Sequence, residues 1–190
     1  MGERALSGLA KFTAEMLEFA EAEMSDLIEE IDLRSVVEQV VKQLRAGHRE
    51  NGVSFEISAL PRIRGLRIQM HHVLANLLRN ALLHGRFGSR PLHVQIGAFQ
   101  DPEHGPVVFV RDDGRGIAVE DQQRMFDYFT RGRNSRSPGS GIGLAYCAQV
   151  IQRQGHRLWV ESVPGQGATF YFSVSVANGG PCDSASLSPE

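Results

Sequence analysis

The amino-terminal stretch is the first of several segments in which apolar residues recur at helical spacing. Residues 3–30 contain no proline and a single glycine. Apolar residues recur there and just beyond at near-helical spacing, and they are Leu9, Phe12, Met16, Phe19, Met24, Leu27 and Ile31. This spacing predicts one long amphipathic helix with an acidic outer face. Such a helix cannot bury its apolar stripe alone, so it requires a partner helix or a second copy of itself.

Four further helices are predicted downstream. One covers residues 33–48, and residues 67–84 form the strongest helix of the chain. The buried band of this strongest helix is expected to comprise Ile68, Val73, Leu74, Leu77, Leu78, Ala81 and Leu82. A short helix is expected around residues 120–125, and another over residues 143–154.

Alternating or continuous apolar runs predict strands at 53–57, 92–99, 107–112, 156–162 and 168–176. Helices that alternate with strands predict an α/β fold, a two-layer α/β sandwich. A mixed sheet of about five strands would carry about three helices on one face, preceded by the long N-terminal helix. The chain then divides into the helix at 1–31, the sandwich at 32–177, and a polar tail at 178–190 that is expected to be disordered.

Composition and charge narrow the function classes. The chain has 190 residues and a formal net charge of −2, which provides no general attraction to nucleic acid or membrane surfaces. Its apolar runs are too short to span a bilayer, and its start lacks the apolar core of a signal peptide. Two cysteines do not make a disulfide framework, and Cys147 is expected to be a core thiol. We expect a cytoplasmic protein with no membrane segment and no nucleic-acid partner.

Two asparagines interrupt the strongest helix. Asn76 and Asn80, in NLLRNALLH, lie four residues apart and share one helix face. They are either core asparagines satisfied by hydrogen bonds or oxygen ligands for a hard cation. Mg²⁺ suits the second interpretation, because it takes few protein ligands and keeps water and phosphate for the rest.

A glycine-rich turn, VRDDGRGI, follows the strand at 107–112. Asp112 ends the strand and could hold the amino group of a ligand. Gly114 and Gly116 let the chain turn sharply and approach a flat ligand. An ordinary strand-ending turn explains the same residues equally well.

Residues 125–143 combine two aromatic residues, a basic loop and alternating glycines. Phe126 and Phe129 are three residues apart, which is also the spacing of simple helical packing. The loop that follows is either a solvated surface or a lid over a polyphosphate, because its charged residues are all basic. They are Arg131, Arg133 and Arg136. The glycines of SPGSGIGLA could wrap an anion at a helix start, but the stretch is neither a P-loop nor a dinucleotide fingerprint.

The order of these motifs is more specific than any one of them. N-x-x-x-N-A, D-x-G-x-G-I, F-x-x-F, G-x-G-x-G-L-A and G-x-G-x-T-F (residues 165–170) resemble the N, G1, F, G2 and G3 boxes of the ATP-binding domain of sensor histidine kinases. That family belongs to the wider group of gyrase-, Hsp90- and MutL-like ATPases. The resemblance covers residues 33–176 and implies a domain that binds Mg-ATP between its helices and a flexible lid.

The resemblance implies a role for each matching residue. Asn80 would coordinate Mg²⁺ with support from Asn76, and Asp112 would take the amino group of adenine. The base pocket would be lined by Gly114 and Gly116, and the lid would be anchored by Phe126 and Phe129. Phosphates would be contacted or wrapped by Arg131, Arg133, Arg136, Gly139, Gly141 and Gly143. The other residues placed around the nucleotide are His84, Ile117, Ser140, Ile142, Leu144 and Thr169. Ser140 would either donate its hydroxyl to a phosphate or cap the helix.

Three positions depart from the family pattern. Leu83 stands where a lysine often reaches a phosphate, which shifts that load to the lid arginines. His84 replaces an aromatic residue but can still stack on a purine, and Leu66 replaces an acidic residue before the helix. In ATP-hydrolysing relatives a glutamate stands where Asn76 stands, and an asparagine is a poor general base. Transfer to a protein acceptor is therefore favoured, with Asn76 and Asn80 as the catalytic residues, acting by positioning and charge neutralisation.

The acceptor histidine is missing from this sequence. None of the seven histidines has the H-E-x-R-T-P-like setting of the family, so the chain is interpreted as a fragment that is not expected to autophosphorylate alone. Residues 1–31 resemble the C-terminal helix of the dimerisation domain. The resemblance implies a protein histidine kinase that phosphorylates a histidine on its own dimerisation domain, for relay to a response-regulator aspartate, in a homodimeric full-length protein.

Two alternatives to an active histidine kinase are weighed against it. One is an ATP-sensing or degenerate binding module that controls dimerisation or a partner. The intact N, G1 and G2 boxes argue against full degeneration, while Leu83 and Leu66 leave room for weak catalysis. The other is a serine-directed kinase of the anti-sigma type, which Asn76 disfavours because that group usually keeps an acidic residue there.

Overall fold

The computed structural model of the protein describes residues 27–47, 52–85, 90–127 and 142–177. Along the chain these residues form β1 (Glu29–Asp32), α1 (Leu33–Gly47), β2 (Val53–Ile57), β3 (Arg62–Gly65), α2 (Arg67–His84), β4 (Leu92–Asp101), β5 (Gly105–Asp112), α3 (Val119–Gln122), α4 (Gly143–Arg153), β6 (Leu158–Ser162) and β7 (Ala168–Ser173). The predicted helix over residues 1–26 and the predicted tail at 178–190 lie outside the described residues.

The predicted two-layer α/β sandwich with a mixed five-stranded sheet is confirmed. The strand order is β2-β4-β5-β7-β6, with β2 parallel to β4 and the other neighbouring strands antiparallel. Side chains alternate between the two faces of each strand. In β5, Val108 and Val110 point into the core, and Asp112 continues this inward row at the end of the strand. The sheet thus carries one acidic side chain to the edge of the apolar core.

Three helices of the described residues form the second layer. α2 lies between α1 and α4 and packs against β4 and β5, while α4 contacts β6. The buried side chains of α2 are Gln69, Met70, Val73, Leu74, Leu77, Leu78, Ala81 and Leu82. Ile68, which was expected in this band, is 42% exposed. At the helical rotation of about 100° per residue, Ile68 lies roughly 150° from the centre of the buried stripe.

A two-stranded sheet corrects the expectation that helix extends to residue 31. β1 pairs antiparallel with β3, and Ile31, which is fully buried, lies opposite Ile63. Ile31 is therefore buried by strand pairing, not in a helical stripe. A single apolar residue among acidic neighbours fits the helical period and the strand period equally well. Because the partner strand lies far along the chain, the local sequence does not distinguish a helix from a strand here.

The structure provides no membrane-spanning element among the residues it describes. No helix within 27–47, 52–85, 90–127 and 142–177 combines the length and the apolar character that crossing a bilayer requires. Cys147 is fully buried in α4, as expected for a core thiol, and burial raises the pKa of this group.

Candidate functional site

Asp112 stands at the end of β5, on the sheet face that the helices cover. Its side chain is 5% exposed and accepts a hydrogen bond from the backbone N–H of Gly114 at 3.0 Å. Burial raises the pKa of this carboxyl, while backbone hydrogen bonds from Gly114 and Ala168 and the charge of Arg115 act in the opposite direction. A carboxylate held in this way can accept a hydrogen bond from an amino group of a ligand.

Gly114 packs its backbone directly against the end of α2. A Cβ at this position would lie 1.9 Å from the carbonyl oxygen of Gly85. The N–H of Arg115 donates to the same carbonyl at 3.1 Å. No side chain fits at position 114, so glycine is what allows this loop to approach the helix that carries both asparagines.

Two other glycines join the loop after β5 to the loop before β7. Gly116 has φ +69°, and a Cβ there would lie 2.2 Å from the carbonyl oxygen of Val163. Gly167 has φ +91°, and a Cβ there would lie 2.0 Å from the carbonyl oxygen of Asp112. Both conformations are left-handed and favour glycine. Two glycine-rich motifs that are distant in sequence therefore form one continuous surface beside Asp112.

Two polar side chains outside the predicted motifs fasten this surface. Ser162 Oγ donates to the carbonyl of Gly167 at 2.7 Å and accepts from the N–H of Ile117 at 2.8 Å. Gln122 Nε2 donates to the carbonyls of Ile117 and Ser162, at 2.8 and 2.9 Å. Ile117 itself packs against the core. No sequence signal marks Ser162 or Gln122, because each acts through partners that only the tertiary fold brings together.

Asn76, Asn80 and His84 lie along one flank of α2 and are all half-buried. Successive members are four residues apart, or about 6 Å along the helix axis. Asn76 Nδ2 donates to the carbonyl of His72 at 3.1 Å. His84 Nδ1 accepts from the guanidinium of Arg115 at 3.2 Å. The His84 end of this flank therefore adjoins the glycine-rich loop after β5.

The start of α4 lies against the other end of the flank. A Cβ at Gly143 would be 2.8 Å from Oδ1 of Asn76. This contact places the first backbone N–H groups of α4 and the positive end of its dipole beside Asn76. Ile142, at the N-cap position, provides no side-chain cap for these groups. Ile142 is 1% exposed, and the half-buried Leu144 packs against the core. The structure thus brings residues 142–144 next to Asn76.

A carboxylate from β1 pairs with the first residue of α2. Leu66 occupies the N-cap position without a side-chain cap, and the first turn of α2 contains no acidic residue. Glu29 Oε1 accepts from Nε of Arg67 at 2.8 Å. A carboxylate near a helix N-terminus favours the helix dipole and offsets the unfavourable charge of an arginine there. β1 is thereby tied to the helix that carries Asn76 and Asn80.

Thr169 lies on the face of the sheet opposite Asp112. Asp112 pairs with Ala168, which shares its inward face, whereas Thr169 pairs with Arg111 and Glu161 on the outer face. A difference of one residue in a strand reverses the face. The structure therefore does not bring Thr169 to the other predicted site residues.

The region predicted to form a lid lies only partly within the described residues. Phe126 is half-buried and packs against the core. The other predicted lid residues lie outside the described residues, and they are Phe129, Arg131, Arg133, Arg136, Gly139, Ser140 and Gly141.

Known proteins similar to this chain include sensor kinases. A family model described as histidine kinase-, DNA gyrase B-, and HSP90-like ATPase matches residues 65–178. The sensor histidine kinase AruS of Pseudomonas aeruginosa is 34% identical over 180 residues, which cover 90% of this chain and 18% of that protein. The adaptive-response sensory kinase SasA of Parasynechococcus marenigrum is 31% identical over 183 residues, 93% of this chain and 47% of that protein. The chain thus spans less than half the length of these curated relatives.

Solved structures share the fold. The mycobacterial sensor histidine kinase MprB has a TM-score of 0.66 and 23% identity, covering 78% of this chain and 97% of that chain. Full-length ShkA in complex with AMPPNP has a TM-score of 0.69 and 23% identity, covering 89% of this chain and 37% of that chain. With the family model matching most of the sandwich, the motif resemblance is confirmed: the chain belongs to the histidine kinase-, DNA gyrase B- and HSP90-like ATPase family and carries the ATPase-type domain of sensor histidine kinases.

Proposed function

We propose that the chain binds Mg-ATP and transfers its γ-phosphoryl group to a histidine on the dimerisation domain of its own protein. The observation that carries this proposal is the flank of α2, where His84 adjoins the loop after β5 and Asn76 adjoins the start of α4. About 12 Å along the helix axis separates these two residues. A nucleotide lying along the flank would present its base to Asp112 and its phosphates to Asn80, Asn76 and α4.

The base end suits adenine. Asp112, a buried carboxylate at a strand end, would accept a hydrogen bond from the adenine amino group. Gly114 and Gly116 present backbone without side chains, and the partly buried Ile117 adds an apolar surface for a flat ring. Burial of this kind strengthens the hydrogen bond to the carboxylate, because little water competes for it.

The phosphate end suits Mg²⁺ by the chemistry of its donors. The amide nitrogen of Asn76 is used by the carbonyl of His72, so Oδ1 is the atom that faces Gly143. Carboxamide oxygens are hard ligands that Mg²⁺ accepts together with water and phosphate. We assign Asn80 as the residue that would hold the ion, with Asn76 in support. The ion would neutralise charge on the phosphates during transfer.

Transfer to a protein acceptor is favoured over hydrolysis. Asn76 stands where ATP-hydrolysing relatives place a water-activating glutamate, and its amide group donates to a backbone carbonyl. A carboxamide cannot take a proton from water at neutral pH. The contribution of these residues is then to position the phosphates and to neutralise their charge.

The whole protein is proposed to be a two-component sensor kinase. AruS is named a sensor histidine kinase, SasA a sensory kinase, and the ShkA structure holds AMPPNP. Residues 1–26 would continue upstream of β1 as part of the dimerisation domain. The full-length protein, either soluble or membrane-anchored, would act as a homodimer with its kinase domain in the cytoplasm and a response regulator as its partner. The lid would close over the phosphates with Phe129, Arg131, Arg133, Arg136, Gly139, Ser140 and Gly141.

A transfer assay tests this proposal. The chain is incubated with ATP labelled at the γ-phosphate and with the separately produced dimerisation domain of its own protein. We expect Mg²⁺-dependent label on the acceptor histidine, and loss of label with Asn80→Ala or Asp112→Asn. Arg111→Gln, an exposed change on the outer sheet face, should keep the transfer. Tight ATP binding without any transfer would favour the ATP-sensing module instead.

A further inference from the structure

Ser162, Ala168 and Asp112 lie opposite one another on three neighbouring strands. Ser162 pairs with Ala168 across β6 and β7, and Asp112 pairs with Ala168 across β5 and β7. Residues that are directly opposite in a sheet point to the same face, which here is the face that the helices cover. The small side chain of Ala168 therefore stands between the hydroxyl of Ser162 and the carboxyl of Asp112 in this row.

The hydroxyl of Ser162 holds two backbone segments at once. Its Oγ donates to the carbonyl of Gly167, in the loop before β7, at 2.7 Å. The same Oγ accepts from the N–H of Ile117, in the loop after β5, at 2.8 Å. Gln122 adds to this arrangement, because its Nε2 donates to the carbonyls of Ile117 and Ser162. Both backbone polar groups of Ile117 are thereby engaged by side chains.

A single peptide group connects Ser162 to Asp112. The carbonyl of Gly167 and the N–H of Ala168 belong to the same planar unit. This carbonyl accepts from Ser162, and this N–H donates to the carboxyl of Asp112. A Cβ at Gly167 would lie 2.0 Å from the backbone carbonyl oxygen of Asp112, so the peptide group passes directly beside the aspartate. Glycine restricts the rotation of its peptide groups less than any other residue, so a bond to this carbonyl limits a rotation that the backbone itself permits.

We propose that Ser162 is a positioning residue for the base end of the nucleotide site. Its hydroxyl orients the 167–168 peptide group toward Asp112 and holds the backbone of Ile117 beside the base. This inference rests on the proposed function, because it concerns the same site. A carboxylate that accepts from a fixed backbone N–H keeps its other lone pairs in a fixed direction, where they can accept from the amino group of adenine. Loss of the hydroxyl would release this peptide group and leave the carboxylate of Asp112 less well aimed at the base.

Binding of a ribose-labelled fluorescent ATP analogue to the full chain tests the proposal. Ser162→Ala should weaken binding about five- to tenfold. Ser162→Thr keeps a hydroxyl at this place and should bind within about twofold of the parent. Ser173→Ala is the matched control, because Ser173 Oγ also accepts from a backbone N–H, that of Arg157 at 3.0 Å. Ser173 lies about 17 Å along β7 from Ala168, so its loss should leave ATP binding unchanged.

A ligand without a base separates positioning from general damage to the pocket. Inorganic tripolyphosphate with Mg²⁺ shares the phosphates of ATP and lacks adenine, and its binding is measured by calorimetry. Ser162→Ala should leave this binding unchanged while it weakens binding of ATP. Equal weakening of both ligands overturns the proposal, as does parent-like ATP binding by Ser162→Ala or equal weakening of ATP binding by Ser173→Ala.

Hydrogen exchange of backbone amides, measured without nucleotide, is a second readout. The N–H groups of Ile117 and Ala168 should exchange slowly in the parent and faster in Ser162→Ala. In Ser173→Ala, the faster exchange should be confined to the region of Arg157. Unprotected Ile117 and Ala168 amides in the parent overturn the proposal, and this measurement decides even if Ser162→Ala does not fold.

The aspartate variant separates failure of this inference from failure of the proposed function. If Asp112→Asn weakens ATP binding while Ser162→Ala has no effect, only the role of Ser162 is wrong. If Asp112→Asn and Asn80→Ala both bind ATP as the parent does, the proposed function itself fails.

Discussion

Gly143 lies so close to Asn76 that a Cβ at position 143 would be 2.8 Å from Oδ1 of the asparagine. Real Cβ atoms do not approach an oxygen to this distance, so the start of α4 can rest on α2 only because residue 143 has no side chain. The contact places the first N–H groups of α4 beside Asn76. This is the geometry on which the proposed phosphate end depends.

Gly143→Ala should force Asn76 or α4 to move. In an ordinary helix position, alanine in place of glycine stabilises by about 0.4–1 kcal/mol. Here we expect the free energy of unfolding to fall by about 1 kcal/mol instead, with weaker ATP binding. The matched test is Asn76→Ala/Gly143→Ala, in which the clash is gone. Urea unfolding should show positive coupling between the two changes, and strictly additive effects would contradict the contact.

Gly116 and Gly165 provide a paired test of the glycine-rich surface. Both have positive φ, but a Cβ at Gly116 would lie 2.2 Å from the carbonyl oxygen of Val163, whereas a Cβ at Gly165 would meet nothing within 4 Å. Gly165→Ala should therefore cost only the strain of its conformation, about 1 kcal/mol. Gly116→Ala must also displace backbone, and we expect a loss of about 3 kcal/mol. Equal losses in thermal or urea unfolding would show that the loops do not meet.

Asp112 should make stability depend on pH with a definite sign. Burial raises the pKa of this carboxyl above its ordinary 3.8, so the folded state holds the proton more tightly than the unfolded state. The protonated Asp112 carboxyl therefore adds to the free energy of unfolding below pH 3.8, and this contribution is lost as the pH rises through the folded-state pKa. Asp112→Asn lacks this titration. Its stability relative to the parent should increase with pH across that window.

Urea unfolding at a series of pH values, from below 3.8 to neutral, checks the sign. Glu120→Gln, which removes one negative charge from an exposed position in α3, controls for the change in net charge. A relative stability of Asp112→Asn that falls with rising pH would mean that the carboxyl is not desolvated.

The elements with long periodic patterns could be read from the sequence. α1, α2 and α4 each present repeated apolar positions, and the five strands of the main sheet have apolar runs bounded by turn residues. β1 and β3 have four residues each and one buried isoleucine apiece, which is too little for a period to show. Each of these strands forms only by pairing with the other, and no local sequence pattern indicates that pairing.

The candidate site divides in the same way. Asp112, Asn76, Asn80 and the glycines stand in motifs of fixed spacing, so their positions could be found. Arg115 fills an unspecified position of the D-x-G-x-G motif, and its contacts with His84 and with the carbonyl of Gly85 arise only from the fold. For Thr169 the motif identified the residue, but only the strand register shows that its side chain lies on the face opposite Asp112.

The central claim is that Asp112 binds the base and Asn80 holds the metal of one Mg-ATP, and a titration with a fluorescent ATP analogue tests it most directly. The titration is performed with and without Mg²⁺, and the parent should bind the analogue more tightly when the ion is present. Asp112→Asn should weaken binding about 10- to 150-fold under both conditions, as loss of a hydrogen bond to a charged group implies. Asn80→Ala should remove the gain from Mg²⁺ and leave metal-free binding nearly unchanged. Parent-like affinity and Mg²⁺ dependence in both variants would contradict the account.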